Sequence, residues 1–178
     1  MEMEYRPIRE EELCRALFEK FQRRQVVDKC WRKVDGQWCI REDPFIDDWN
    51  EEDYEFLVRC LKNTVATGGV VLGGFLGGTL KGFASVESEP MGSGGVYRDL
   101  TSLHVSSELR GQGVGKILFT KAAEWARAQG GKKLYISGHS AVETQAFYQA
   151  MGCREAEEYM QKHVEAEPFD CQLEYVIP

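Results

Sequence analysis

The sequence predicts an α/β protein: a mixed, mostly antiparallel sheet containing one parallel βαβ unit, with helices on both faces. Two features carry this expectation. Val70-Val71-Leu72 and Thr79 to Val86 are apolar runs separated by glycines, and Gly77-Gly78 between them suits a two-residue hairpin turn. Farther on, Asp99 to Ser106 alternates around Leu103 and Val105, a helical pattern runs from Val114 to Gln129, and Leu134-Tyr135-Ile136 follows as a short strand. That strand, helix, strand order implies two parallel strands joined by a right-handed crossover.

The remaining elements follow in chain order. Residues 9–24 place Leu13, Leu17, Phe18 and Phe21 near helical spacing, which predicts an amphipathic helix. Residues 26–49 read as irregular or short-stranded, with Trp31, Trp38 and Trp49 scattered through them. Asn50 ahead of Glu51, Glu52 and Asp53 is a helix start, since its side chain can cap and the acids face the positive end of the dipole. This helix is expected to reach Asn63 and to bury Phe56, Leu57, Cys60 and Leu61. Pro90 to Gly95 is a flexible connection. Gly130-Gly131 ends the helix that begins at Val114. Ser140-Ala141-Val142-Glu143 matches a capping box and opens a helix ending near Met151-Gly152. Cys171 to Ile177 is a final strand.

No repeat or low-complexity linker divides the 178 residues, so a single domain over 1–178 is expected, with 1–50 as an N-terminal helix and irregular extension. An apolar fraction of 43% is enough to build a core, which sets disorder aside. With 22 basic and 29 acidic residues the net charge is −7. Nucleic acid and anionic membranes need clustered Lys and Arg, so neither is an expected partner, whereas a cationic substrate is compatible. The first thirty residues hold no apolar run, so no secretory signal or membrane span is expected. The six cysteines are scattered without a CxxC pair or a matching histidine, which predicts reduced thiols in a cytoplasmic protein and no metal site.

Chemistry concentrates in Leu109-Arg110-Gly111-Gln112-Gly113-Val114-Gly115-Lys116, which joins a strand to a helix. Free backbone N–H groups at a helix start, opened by three glycines, form a nest for phosphate oxygens, and Arg110 and Lys116 add positive charge. A Walker A loop would need four residues between its first glycine and Gly-Lys, then Ser or Thr; here three separate Gly111 from Gly115, and Ile117 follows the lysine. A dinucleotide fingerprint would need glycine where Lys116 stands. A plain glycine-rich turn does not call for three alternating glycines flanked by two bases.

The pattern Arg/Gln-x-x-Gly-x-Gly/Ala, met by Arg110, Gly113 and Gly115, resembles the pyrophosphate-binding motif of the GNAT family of N-acetyltransferases. Ala146 to Cys153 resembles that family's FYxxxGF segment, with Cys153 in place of the usual aromatic residue. The resemblance covers residues 68–153, a cofactor-binding core. It implies a GNAT-like fold, acetyl-CoA as co-substrate without a metal, and direct acetyl transfer to a primary amine. It places the cofactor on Leu103, His104 and Val105 of the preceding strand and on Arg110, Gly111, Gln112, Gly113, Val114, Gly115 and Lys116. Tyr148 stands where the family has its general acid. For the base, Asp99 and Glu87 rank first, with Glu89 and His104 as further candidates.

On the acceptor side, Glu42 to Glu55 holds eight acids and no Lys or Arg, interleaved with Phe45, Trp49 and Tyr54. Such a run could draw a cationic amine, with Asp47, Asp48 and Trp49 bordering its pocket, although a solvated surface has the same composition. The expected partners are a small-molecule or protein amine, and a homodimer stays open. Two other classes share these features: a non-catalytic acyl-CoA-binding regulatory module, and an interaction protein docking through its acidic N-terminal third.

Overall fold

The computed structural model describes residues 2–178. Its strands are β1 (Met3–Pro7), β2 (Arg24–Val34), β3 (Gln37–Asp48), β4 (Val70–Leu76), β5 (Thr79–Val86), β6 (Tyr97–Val105), β7 (Lys133–Gly138), β8 (Arg154–Glu155) and β9 (Cys171–Val176). Its helices are α1 (Glu51–Ala66), α2 (Val114–Ala128), α3 (Val142–Ala150) and α4 (Gln161–Ala166). One sheet runs β1-β4-β5-β6-β7-β9-β8, and β2 pairs with β3 in a separate ribbon. Every neighbouring pair is antiparallel except β6 and β7, joined by α2 as the crossover.

Alternation along the strands sends side chains to two cores. Val70, Leu72, Ala84, Leu100, Leu134 and Ile136 pack against Leu118, Phe119 and Ala122 of α2. On the opposite face Val71, Phe75 and Phe83 meet Tyr54 and Leu61 of α1 and the N-terminal residues Leu13, Phe18 and Phe21. Gly82 of β5 lies directly under α2: a Cβ there would fall 2.9 Å from both Val114 and Leu118, so the helix start can approach the sheet only over glycine.

Several expectations are corrected. Residues 9–24 form two short 3-10 turns, Glu10–Glu12 and Arg15–Phe18, rather than one helix. The fully buried members are Leu13, Phe18 and Phe21, whose spacing does not follow one helical stripe, and Cys14 between the turns is extended. Phe18 meets Phe83 edge-to-face and Phe21 meets it at a tilt, both with centroids at 5.4 Å. Residues 26–49 lie almost wholly in the long β2–β3 hairpin, closed by Asp35-Gly36 with φ of 51° and 76°, and β1 was not foreseen. Asn50 caps α1 as expected, accepting from the Asp53 amide at 2.9 Å, but the helix runs on to Ala66 and buries Tyr54, Leu61 and Thr64. Phe56 and Cys60 are exposed and Leu57 is half-buried. The capping box at Ser140 is absent: Ala141 is the N-cap of α3, and the Ser140 hydroxyl accepts from Arg32 at 2.7 Å. All six cysteines are unpaired.

Under β8, the completely buried Glu174 carboxylate accepts from the Tyr97 hydroxyl, the Glu157 amide at 3.0 Å, Lys133 at 3.0 Å and Arg154 at 2.9 Å. Burial alone would push its carboxyl up, yet these donors together hold it down at about 2. Glu174→Gln is expected to lower stability by about 2 kcal/mol, because the amide opposes two cations, or roughly 4–8 °C in melting temperature at this size. A depressed carboxyl stabilises above its ordinary value near 4.5 and loses that contribution as pH falls towards 2. Melts of parent and variant should therefore converge on acidification.

Candidate active site

β6 and β7 pair only from Tyr97–Asp99 to Lys133–Tyr135 and then separate. A bulge opposite β5, where Ser85 meets Ser102 and Val86 meets Leu100, leaves Thr101 unpaired just past the fork. From Leu100 onward, the β6 edge that turns towards β7 has no strand partner. Leu103, His104 and Val105 lie on this free edge, Leu103 and Val105 packing towards α2.

Beyond the fork, Ser107–Leu109 makes a short turn and the glycine loop leads into α2. Gly111 and Gly113 have φ of 79° and 84°, and Gly113 is the helix N-cap, with no side chain capping it. The first intrahelical bond runs from the Ile117 amide to the Gly113 carbonyl at 3.2 Å, so the amides ahead of it have no intrahelical acceptor. A Cβ at Gly111 or Gly113 would meet nothing within 4 Å, so the loop is open above its amides. The geometry fits an anionic pyrophosphate: free donors, a helix dipole, flanking Arg110 and Lys116, and room for the group to approach. Gly115 abuts α3, where a Cβ would lie 3.4 Å from the Phe147 ring.

The β2–β3 hairpin straps across the fork. At its root the Gln22 amide donates to Ser106 Oγ at 2.9 Å and the Ser107 amide to the Gln22 carbonyl. Its middle reaches α3, with the Trp31 amide on the Ser140 carbonyl at 2.8 Å and a bridge from Cys30 to Ala141. Alternation in β3 turns Phe45, Asp47 and Trp49 inward and leaves Ile46 and Asp48 exposed. Asp47 and Asp48 therefore do not face one pocket, and Asp47 is neutralised by the buried Arg23 at 2.8 Å. Trp49 stands edge-on to His104 at 4.8 Å. Burial first, then the charges of Arg23 and Arg110, hold the His104 imidazole down at about 3, so it stays neutral and is a poor proton acceptor. His139 beyond β7 is also lowered, chiefly by burial, and its Nδ1 accepts from the Ala141 amide at 3.0 Å.

The catalytic candidates do not form one cluster. Tyr148 is buried in α3 against Phe119 and Phe147 with its ring over Gly138, and burial pushes its hydroxyl well above the ordinary value. Asp99 is the last β6 residue paired with β7; it is 2% exposed, and its Oδ2 lies 2.6 Å from His163 Nε2 of α4. Glu87 turns to α1, its Oε2 accepting from Thr64 at 2.9 Å and Thr101 at 2.6 Å. Arg23 near His104, His139 after β7 and Asp170 just before β9 carry no signal in the sequence. Their placement comes from the hairpin crossing and from β9 pairing, neither of which leaves a local motif. No group of three His, Cys, Asp or Glu among the described residues could hold a metal ion.

The profile of the Acetyltransferase (GNAT) family matches residues 12–153. The chain belongs to this family. Among solved structures with the same fold, nourseothricin acetyltransferase is 16% identical, each chain covered in full, with a TM-score of 0.72. PaiA N-acetyltransferase from Thermoplasma acidophilum, in complex with coenzyme A, is 18% identical over 99% of both chains, with a TM-score of 0.60. An aminoglycoside 6'-N-acetyltransferase complexed with coenzyme A is 14% identical over 73% of this chain and 82% of its own, with a TM-score of 0.55. No curated protein matches the sequence. The β6–β7 fork and the glycine loop of this GNAT chain lie within the matched residues.

Proposed function

We propose that this GNAT protein is an acetyl-CoA-dependent N-acetyltransferase acting on a primary amine, with a small cationic amine as its acceptor. The observation that carries the reading is the β6–β7 fork opening onto the uncapped start of α2. The amides of Gly111 to Lys116, with Arg110 and Lys116, would hold the pyrophosphate, and the free edge at Leu103, His104 and Val105 would pair with the pantetheine arm. When bound, acetyl-CoA supplies an activated thioester. Trp49 and the hairpin exclude water from one side of the fork, and the Tyr148 hydroxyl, neutral throughout the usual pH range, is the donor available to a departing thiolate. Solved relatives named for acetylation of amine antibiotics, two of those above among them, support an amine acceptor. The hairpin ties the N-terminal third to the fork, which favours one acyltransferase unit over 1–178. Six free thiols suit a reducing cytoplasm.

The test is thiol release from acetyl-CoA across a panel of small cationic amines, with product mass measured by spectrometry. Release that depends on the amine, with one acetyl group added, is the expected result. Binding of acetyl-CoA without release on any amine would instead make the chain a regulatory acyl-CoA-binding module.

A further inference from the structure

On the side of β7 away from β6, the buried hydrogen bonds run in one direction and stop at a carboxylate. The Tyr135 hydroxyl donates to Gln172 Oε1, Gln172 Nε2 donates to Ser137 Oγ at 3.0 Å, and the Ser137 hydroxyl donates to Asp170 Oδ2 at 3.0 Å. Tyr135 is 0% exposed and Gln172 3%. Each donor polarises the next, so the chain delivers its full donor strength to one oxygen. The other oxygen, Oδ1, makes no hydrogen bond among the described residues. Ser137 lies two residues past Tyr135, the last β7 residue paired with β6, and Asp170 is near enough to Tyr148 for its charge to raise the proton affinity of that hydroxyl. Asp99 has no such chain behind it, and the carboxylate of Glu87, which takes the Thr101 hydroxyl that in turn contacts Ser85, is turned to α1 by Thr64.

We propose that Asp170 is the general base that takes the proton from the acceptor's ammonium, oriented by Tyr135, Gln172 and Ser137. This rests on the N-acetyltransferase reading. The first ammonium proton passes to Asp170 and then to solvent. As the C–N bond forms and the C–S bond breaks, the thiolate takes a proton from Tyr148, and the second nitrogen proton passes through solvent to restore the Tyr148 hydroxyl. The titratable and charged groups facing Asp170 are Glu167 after α4, His163 of α4, Tyr148 of α3 and Cys171 next to it. Burial pushes the Asp170 carboxyl up to about 6, against the Ser137 hydrogen bond, with Glu167 raising it and His163 lowering it. A base near this value is charged at neutral pH and still accepts a proton.

The experiment is the pH dependence of kcat/KM for the full chain with acetyl-CoA and an alkyl primary amine. The parent should lose about tenfold per pH unit below about pH 6. Asp170→Asn, which can still accept from Ser137, should lack that acid limb and fall by about 10²-fold near neutrality. With a fluoroalkyl amine, already neutral in the assay, the loss should shrink below about tenfold, since no ammonium proton needs removal. Ser137→Ala withdraws a hydrogen bond from the carboxylate, so it should move the limb to higher pH. Misfolding does not mimic this result. A carboxyl raised in the folded state makes stability fall as pH rises from about 4 to about 6, and Asn removes that loss, so the variant should melt no lower than the parent. An active parent whose Asp170→Asn variant keeps the acid limb overturns this assignment alone. A parent that acetylates no amine overturns it together with the function.

Discussion

Replacing Gly113 by Val should abolish the stabilisation of the folded protein by acetyl-CoA. In the parent, a ligand that binds only the folded state at about 100 times its dissociation constant adds about 2.7 kcal/mol, which a thermal melt reads directly. The glycine has two separate reasons to be there. Its φ of 84° is left-handed, which costs a residue bearing a Cβ about 1–2 kcal/mol and a β-branched one more. The space above it is open, with nothing within 4 Å of an added Cβ, so in the free protein a valine meets no clash. Its methyl groups would instead occupy the space through which a pyrophosphate reaches the amides of Gly111 to Lys116. The variant should therefore fold, melting a few degrees lower, and show no further rise with acetyl-CoA. A full ligand-induced rise in the variant would place the pyrophosphate elsewhere.

The same loop shows why the second half of this chain was legible from its sequence. Pyrophosphate binding at a helix start needs local features: glycines, a dipole and bases within one turn, flanked by a strand and a helix. All of these sit within a few residues of one another, so the βαβ unit and its loop are written consecutively. The first fifty residues behave differently. Leu13, Leu17 and Phe21 recur at helical spacing, but Phe18 and Phe21 are placed by Phe83 and Tyr54 from distant parts of the chain, and that packing breaks the segment into turns. The β2–β3 hairpin did carry a local signal, Asp35-Gly36, which takes positive φ at both positions. It was obscured because only Val27 and Cys30 are buried along β2, so the usual two-residue alternation is missing. Asp170 had no signal at all. Its place depends on β9 pairing with β7 in the register that sets Gln172 opposite Ser137, which no spacing in the sequence reveals.

Tyr148→Phe should lower kcat by about 10²-fold while acetyl-CoA affinity stays within about twofold, as for a group whose contribution is made in the transition state. The ring is held on three sides, by Phe119 with centroids at 6.4 Å, by Phe147 at 5.3 Å, and by the Gly138 backbone, where a Cβ would touch it at 3.3 Å. Phenylalanine preserves all of these contacts, so the fold and the neighbouring loop should not change. The hydroxyl makes no hydrogen bond among the described residues, so its removal leaves no donor or acceptor stranded and should cost little stability. Burial, then Cys153 and Asp170, raise its proton affinity, so the hydroxyl stays protonated across the assay range. The loss should accordingly be uniform with pH, in contrast to the vanished acid limb expected of Asp170→Asn. Uniform loss with unaltered binding would separate the group that protonates the leaving thiolate from the group that deprotonates the amine. A variant with the parent's kcat on its best amine would remove Tyr148 from the reaction and leave the hydroxyl as packing.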